Sequence, residues 1–166
     1  MAEPKIYLTD WATGVAVEAE LVLNLDREAL EDADTFWRVA AKRLSAKAGE
    51  KEHSHWDWAV KFDAFVGQGM FIAIERSGLM EGLMFLRFDK VARLATQEAQ
   101  PLVYVDYLEV APWNVVWLNP TPRYKGVGRL LFQAALQISR ERGWEGRVGL
   151  HSLPQAEGFY RHNRTA

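Results

Sequence analysis

Beta-branched and aliphatic residues crowd two early stretches, Lys5 to Thr9 and Val15 to Leu25, and the turn-forming DWATG lies between them. That pattern predicts an opening hairpin. From Asp26 to Ala48 the chain is dominated by Ala, Leu, Glu, Lys and Arg, with Phe36, Ala40 and Leu44 at i, i+4 and i+8 and Gly49 where a helix would stop. A second helix is expected in SHWDWAVKFDAFVG, where Ser54 and Asp57 form an S-x-x-D capping pattern ahead of the stripe Trp58, Phe62, Phe65, Val66 and the terminator Gly67. MFIAIERSGLMEGLMFLRF then reads as two strands turning around Glu75 to Gly78, and LVYVDYLEV as a third, bounded by Pro101 and Pro112. Together they predict an antiparallel meander. Val127, Leu131, Ala134, Ala135 and Ile138 share one face of a further helix closed by Gly143. EGRVGLHSL is a short strand, and PQAEGFYRHN a short helix with Pro154 in its first turn.

This order of elements predicts an α/β (α+β) sheet with helices on both faces. At 166 residues, 49% apolar and 25% charged, the chain has room for one core, so residues 1–166 are read as a single domain. A formal charge of −2 excludes the broad basic surface of non-specific nucleic-acid binding. The absence of cysteine excludes disulfides, thiolate zinc sites and a cysteine nucleophile. His53 and His55 have no third ligand at suitable spacing and read as a surface helix start, so no metal site is expected. No apolar run reaches the ~18 residues of a membrane span, and MAEPKIYLTD has no signal pattern. A soluble cytoplasmic protein is expected.

Chemistry concentrates in PRYKGVGRLL, residues 122–131. Gly126 and Gly128 fall between a strand and an amphipathic helix, where unpaired N–H groups and the helix dipole favour an anion, and Arg123, Lys125 and Arg129 add charge. A phosphate or pyrophosphate suits such a place. The P-loop pattern is missing, and G-V-G-R-L-L lacks the third glycine of a dinucleotide fingerprint. What remains, R-x-x-G-x-G from Arg123 to Gly128, resembles the acetyl-CoA signature of the GNAT superfamily of N-acetyltransferases. Ala156, Phe159 and Tyr160 similarly resemble that family's A-x-x-[LF]-Y helix start, with Asn163 where a glycine often ends the helix.

The resemblance implies a mixed, mainly antiparallel GNAT-like sheet, with acetyl-CoA as co-substrate and an amine as acceptor. It implies that the pantetheine arm pairs with Leu108, Glu109 and Val110, and that the pyrophosphate sits on Arg123, Tyr124, Lys125, Gly126, Val127, Gly128 and Arg129. Tyr160 would protonate the leaving thiolate, and Asp106 or Glu109 would take the amine's proton, with direct transfer in a ternary complex. A regular strand sends Asp106 and Glu109 to opposite faces, so one of them is expected at the acceptor, with Glu109 favoured. The acceptor itself is left open, and a non-catalytic acyl-CoA-binding or partner-binding domain is the alternative.

Two departures from the family pattern stand out. WNVVWLNPT lengthens the link before the signature, and Leu153 stands where an asparagine often precedes the last helix. Trp113 and Trp117 in that link either anchor it or line the acceptor site. The sheet is expected to be shortened at its C-terminal side, where the family usually adds strands, and the exposed edge is expected to recruit a second copy or a partner chain.

Overall fold

The computed structural model describes residues 5–48 and 57–150. Seven strands form one sheet in the order β6-β1-β2-β3-β4-β5-β7. The opening hairpin comprises β1 (Ile6–Asp10) and β2 (Ala16–Val22), paired from Ile6↔Ala19 to Thr9↔Ala16. Asp10 makes the turn, its Oδ1 accepting the N–H groups of Ala12 and Thr13 at 3.0 Å each. The meander comprises β3 (Gly69–Arg76), β4 (Leu79–Val91) and β5 (Pro101–Val110), and β2 pairs with β3. At the far edge β7 (Val148–Leu150) runs parallel to β5, so the sheet is mixed but mainly antiparallel.

Helices cover both faces. On one lie α1 (Arg27–Ala48) and α2 (Trp58–Phe65), with a core of Leu30, Trp37, Trp58, Phe71, Leu83, Phe85 and Trp113. On the other lies α3 (Val127–Glu141), whose Val127, Leu131, Ala135 and Ile138 meet Ile72, Ile74, Met84, Leu86, Val103 and Val105. Because β3 and β4 are buried on both sides, their centres read as continuous apolar runs with no alternation. Gly82 lets α3 press closely on the sheet, since a Cβ there would overlap Val127 Cγ1.

Three details differ from the sequence reading. The inward face of α1 is Leu30, Ala33 and Trp37; Phe36, one position round the helix, is 51% exposed and meets the edge of the Trp113 ring. Trp37 wins the core because its indole N–H also reaches the Met80 carbonyl at 3.0 Å. In α2 the cap is Asp57 itself, accepting from Val60 N–H at 3.0 Å, so the helix starts three residues later than a cap at Ser54 would put it. The link before α3 contains a two-residue strand, β6 (Tyr124–Lys125), that pairs with β1. The last helix expected around Ala156–Asn163, with Tyr160, lies outside the described residues, as do Ser54, His53, His55 and Leu153.

Candidate active site

The start of α3 is held by a buried carboxyl group. Glu81, 1% exposed on β4, accepts at Oε2 from the Trp113 indole and the Asn114 amide, both at 2.7 Å. Burial pushes its pKa up, against these two donors and the nearby Arg123 and Arg76. Asn114 Oδ1 in turn accepts the Tyr124 N–H at 2.9 Å, and the Arg123 N–H reaches the Trp113 carbonyl at 3.2 Å. On its other side the segment is clamped to the hairpin, through Thr9↔Lys125, Asp10↔Tyr124 and Trp11 N–H on the Arg123 carbonyl at 2.8 Å. Trp113 therefore anchors the long link, while Trp117 keeps 42% exposure. Glu81 escaped the sequence reading, although a lone glutamate inside LMEGLMFLRF was its signal.

Gly126 follows in the left-handed region, φ 93°, and no side chain caps α3. The first-turn N–H groups therefore lack the partners a capping side chain would give them. Arg123 lies over Trp113, 5.4 Å from the ring centroid, and Lys125 Nζ lies 4.3 Å from that of Trp11. Among the described residues neither they nor Arg129 enters an ion pair. A helix start without a side-chain cap, with cations beside it in the chain, has the electrostatic character that favours an anion.

On the opposite face, β5 carries a bulge. Phe85 pairs with Tyr107 and Leu86 with Val105, which leaves Asp106 as the extra residue. The bulge changes the parity of the strand and corrects the expectation of opposite faces: Asp106 and Glu109 both lie on the α1/α2 side. Asp106 is 3.6 Å from Arg87, whose guanidinium stands over Phe65 of α2. Glu109 Oε2 accepts from the indole of the buried Trp58 at 2.6 Å. Burial drives the Glu109 pKa up to about 8, with Asp34 adding to the rise and Trp58, Lys61 and Arg38 opposing it. Leu108 and Val110 point the other way, into the α3-side core.

A charged network surrounds this carboxyl group. Arg38 on α1 bridges Asp34, at 3.0 Å, and Asp57, at 2.6 Å. Burial raises Asp34 to about 6, whereas the Val60 N–H holds Asp57 low. Lys61 Nζ sits 3.6 Å from the Tyr107 ring centroid, its pKa lowered by burial against the pull of Glu109 and Asp106. Beside β5, β7 pairs only with Val103 to Val105; from Asp106 to Val110 no described residue pairs on that side. The start of α3 and Glu109 share one end of the sheet, because Gly82 pairs with Val110 and packs beneath Val127. A groove of about 500 Å3 lies towards the other end, lined by Asn24, Gln68, Phe88 and Arg142 among others, and contains none of these groups.

Solved structures share this arrangement of elements. A predicted acetyltransferase with acetyl-CoA from Clostridium acetobutylicum superposes with a TM-score of 0.54, at 12% identity over 87% of each chain. The fold is that of the GNAT acetyltransferases. Among other GNAT-fold structures, a ribosomal-protein-alanine N-acetyltransferase from Brucella melitensis biovar Abortus 2308 scores 0.52, at 16% identity over 89% of this chain and 91% of its own. An aminoglycoside acetyltransferase from an uncultured soil metagenomic sample, in complex with trehalose, scores 0.51 at 19% identity over 89% of both chains. No protein-family model and no curated protein matches the sequence. Within the GNAT fold, β5 and the start of α3 are the elements to which the sequence reading assigned Leu108 to Val110 and Arg123 to Arg129.

Proposed function

We propose that the protein transfers an acetyl group from acetyl-CoA to a primary amine. The observation that carries this reading is the uncapped start of α3, with Gly126 left-handed and Arg123, Lys125 and Arg129 outside any ion pair among the described residues, at the same end of the sheet as the half-buried Glu109, whose pKa burial raises to about 8. Residues 123–129 suit the pyrophosphate, and the side of β5 at Leu108 to Val110 suits the amides of the pantetheine arm by strand addition. Acetyl-CoA supplies the activated thioester.

Glu109 is the proposed base. An amine with a pKa near ~10 is mostly protonated at neutral pH and attacks only after losing a proton. The ionised carboxylate takes that proton, the amine nitrogen bonds to the thioester carbon, and a backbone N–H of β5 stabilises the oxyanion. As the carbon–sulfur bond breaks, Tyr160, outside the described residues, donates a proton to the thiolate and recovers one from the attacking nitrogen, leaving a neutral amide and free CoA thiol. Asp106, already close to Arg87, supports the site's charge in this scheme and takes no proton.

Acetyl-CoA at ~100 times its dissociation constant adds about 2.7 kcal/mol to folding stability, so thermal unfolding is expected to rise by several degrees. Gly126→Asp should abolish the rise, because it adds a side chain at positive φ and a repelling charge. An unchanged parent, or an equal rise in the variant, would overturn the assignment. Release of free CoA thiol with a pool of amines and peptides separates the enzyme from a non-catalytic acyl-CoA binder.

A further inference from the structure

We propose that Trp58 and Asp34 are positioning residues for Glu109: the indole holds one carboxyl oxygen, and Asp34 on α1 holds the start of α2 that carries the indole. The inference rests on reading Glu109 as the base, and it adds how that base is aimed and tuned.

The geometry is specific. Trp58 is the first residue of α2, and its side chain is fully buried against Phe71, with ring centroids 6.4 Å apart, so the indole is fixed in place. Its N–H occupies Glu109 Oε2 at 2.6 Å. An indole only donates and a carbonyl oxygen is the better acceptor, so the geometry favours the proton of a neutral Glu109 on Oε1 and directs proton exchange with an acceptor to that oxygen. The α2 start that carries Trp58 is in turn tied to α1: Asp57 caps the helix, Arg38 joins Asp57 to Asp34, and Asp34 accepts the Trp58 main-chain N–H.

Every charged neighbour of Glu109 belongs to this frame. Asp34 and Arg38 come from α1, Asp57 and Lys61 from α2, and Asp106 from its own strand, beside Arg87 of β4. Burial is the main cause of the raised Glu109 pKa and the charge of Asp34 adds to it, while Trp58, Lys61 and Arg38 lower it. Removing Trp58 and removing Asp34 should therefore shift the titration in opposite directions. Mere loosening of the site would admit water and lower it in both.

The test is a carboxyl carbon-13 titration of the full chain, without acetyl-CoA, labelled at glutamate and assigned with Glu109→Gln. The parent resonance is expected to titrate near pH 8. Trp58→Phe is expected to raise the midpoint by about one unit, the size of one hydrogen bond to a charged group. Asp34→Asn is expected to lower it. Where Trp58→Phe does not fold, benzothienylalanine at position 58 replaces the N–H by sulfur at nearly constant shape. A midpoint that stays or falls when the indole N–H is lost overturns the role of Trp58; one that stays or rises in Asp34→Asn overturns that of Asp34. Thermal shift with acetyl-CoA and thiol release, run on the same samples, report on the acetyltransferase reading separately, because the titration needs neither cofactor nor acceptor.

Discussion

Glu109 ionises near 4.5 in an unfolded chain and at about 8 in the folded one. Between those values the native state holds a proton that the unfolded state has released, so stability contributed by the neutral carboxyl is complete below pH 4.5 and is lost as the pH rises to about 8. Glu109→Gln keeps an oxygen for the Trp58 indole and never ionises. Its melting temperature is expected to match the parent's at pH 5 and to exceed it by several degrees at pH 9, where an equal melting temperature would place Glu109 in water. The same residue sets the pH dependence of turnover: a base must be ionised, so kcat/KM should climb through pH 8. Gain of stability with loss of activity in one variant is the mark of a site kept under strain.

The meander and the amphipathic third helix were legible in the sequence because their signals are local: apolar runs, turn residues and an i, i+4 face. The start of that helix was legible for the same reason, since Gly126 stands directly before its apolar face in the chain. What stayed hidden depends on distant partners. Phe36 and Trp37 are both large and apolar, and only the Met80 carbonyl and the Trp113 ring decide which turns inward. The Asp106 bulge is a mismatch between two strands, so β5 alone gives no sign of it, yet it determines that both carboxyl groups face α2. β6 is two residues long and exists through its pairing with β1. Gly82 interrupts the apolar run of β4, and its reason is the close approach of Val127 from a helix more than forty residues on.

Across the whole molecule, the two edges of the sheet differ. One edge is β6, two residues long beside the hairpin, and the other is β7, with whose outer side nothing among the described residues pairs. Unpaired strand edges attract strands, and we propose that a second copy covers this one. Light scattering at micromolar concentration is expected to show a dimer that Val148→Lys weakens; a monomeric parent would overturn the proposal, and a dimer indifferent to the change would place the interface elsewhere. The pairing of β6 with the hairpin bears on how the molecule comes into being. Trp11 and Arg123, joined by a main-chain hydrogen bond, stand more than a hundred residues apart, while β3 and β4 meet across a single turn. Closing so long a loop is entropically costly, and contacts of that kind form late. In pulsed hydrogen exchange during refolding, the Trp11 amide is expected to gain protection after those of β3 and β4, and simultaneous protection would contradict this order. A nascent chain would then own a finished core before it owned a place for a phosphate, and newly made molecules would pass through a compact, ligand-blind stage.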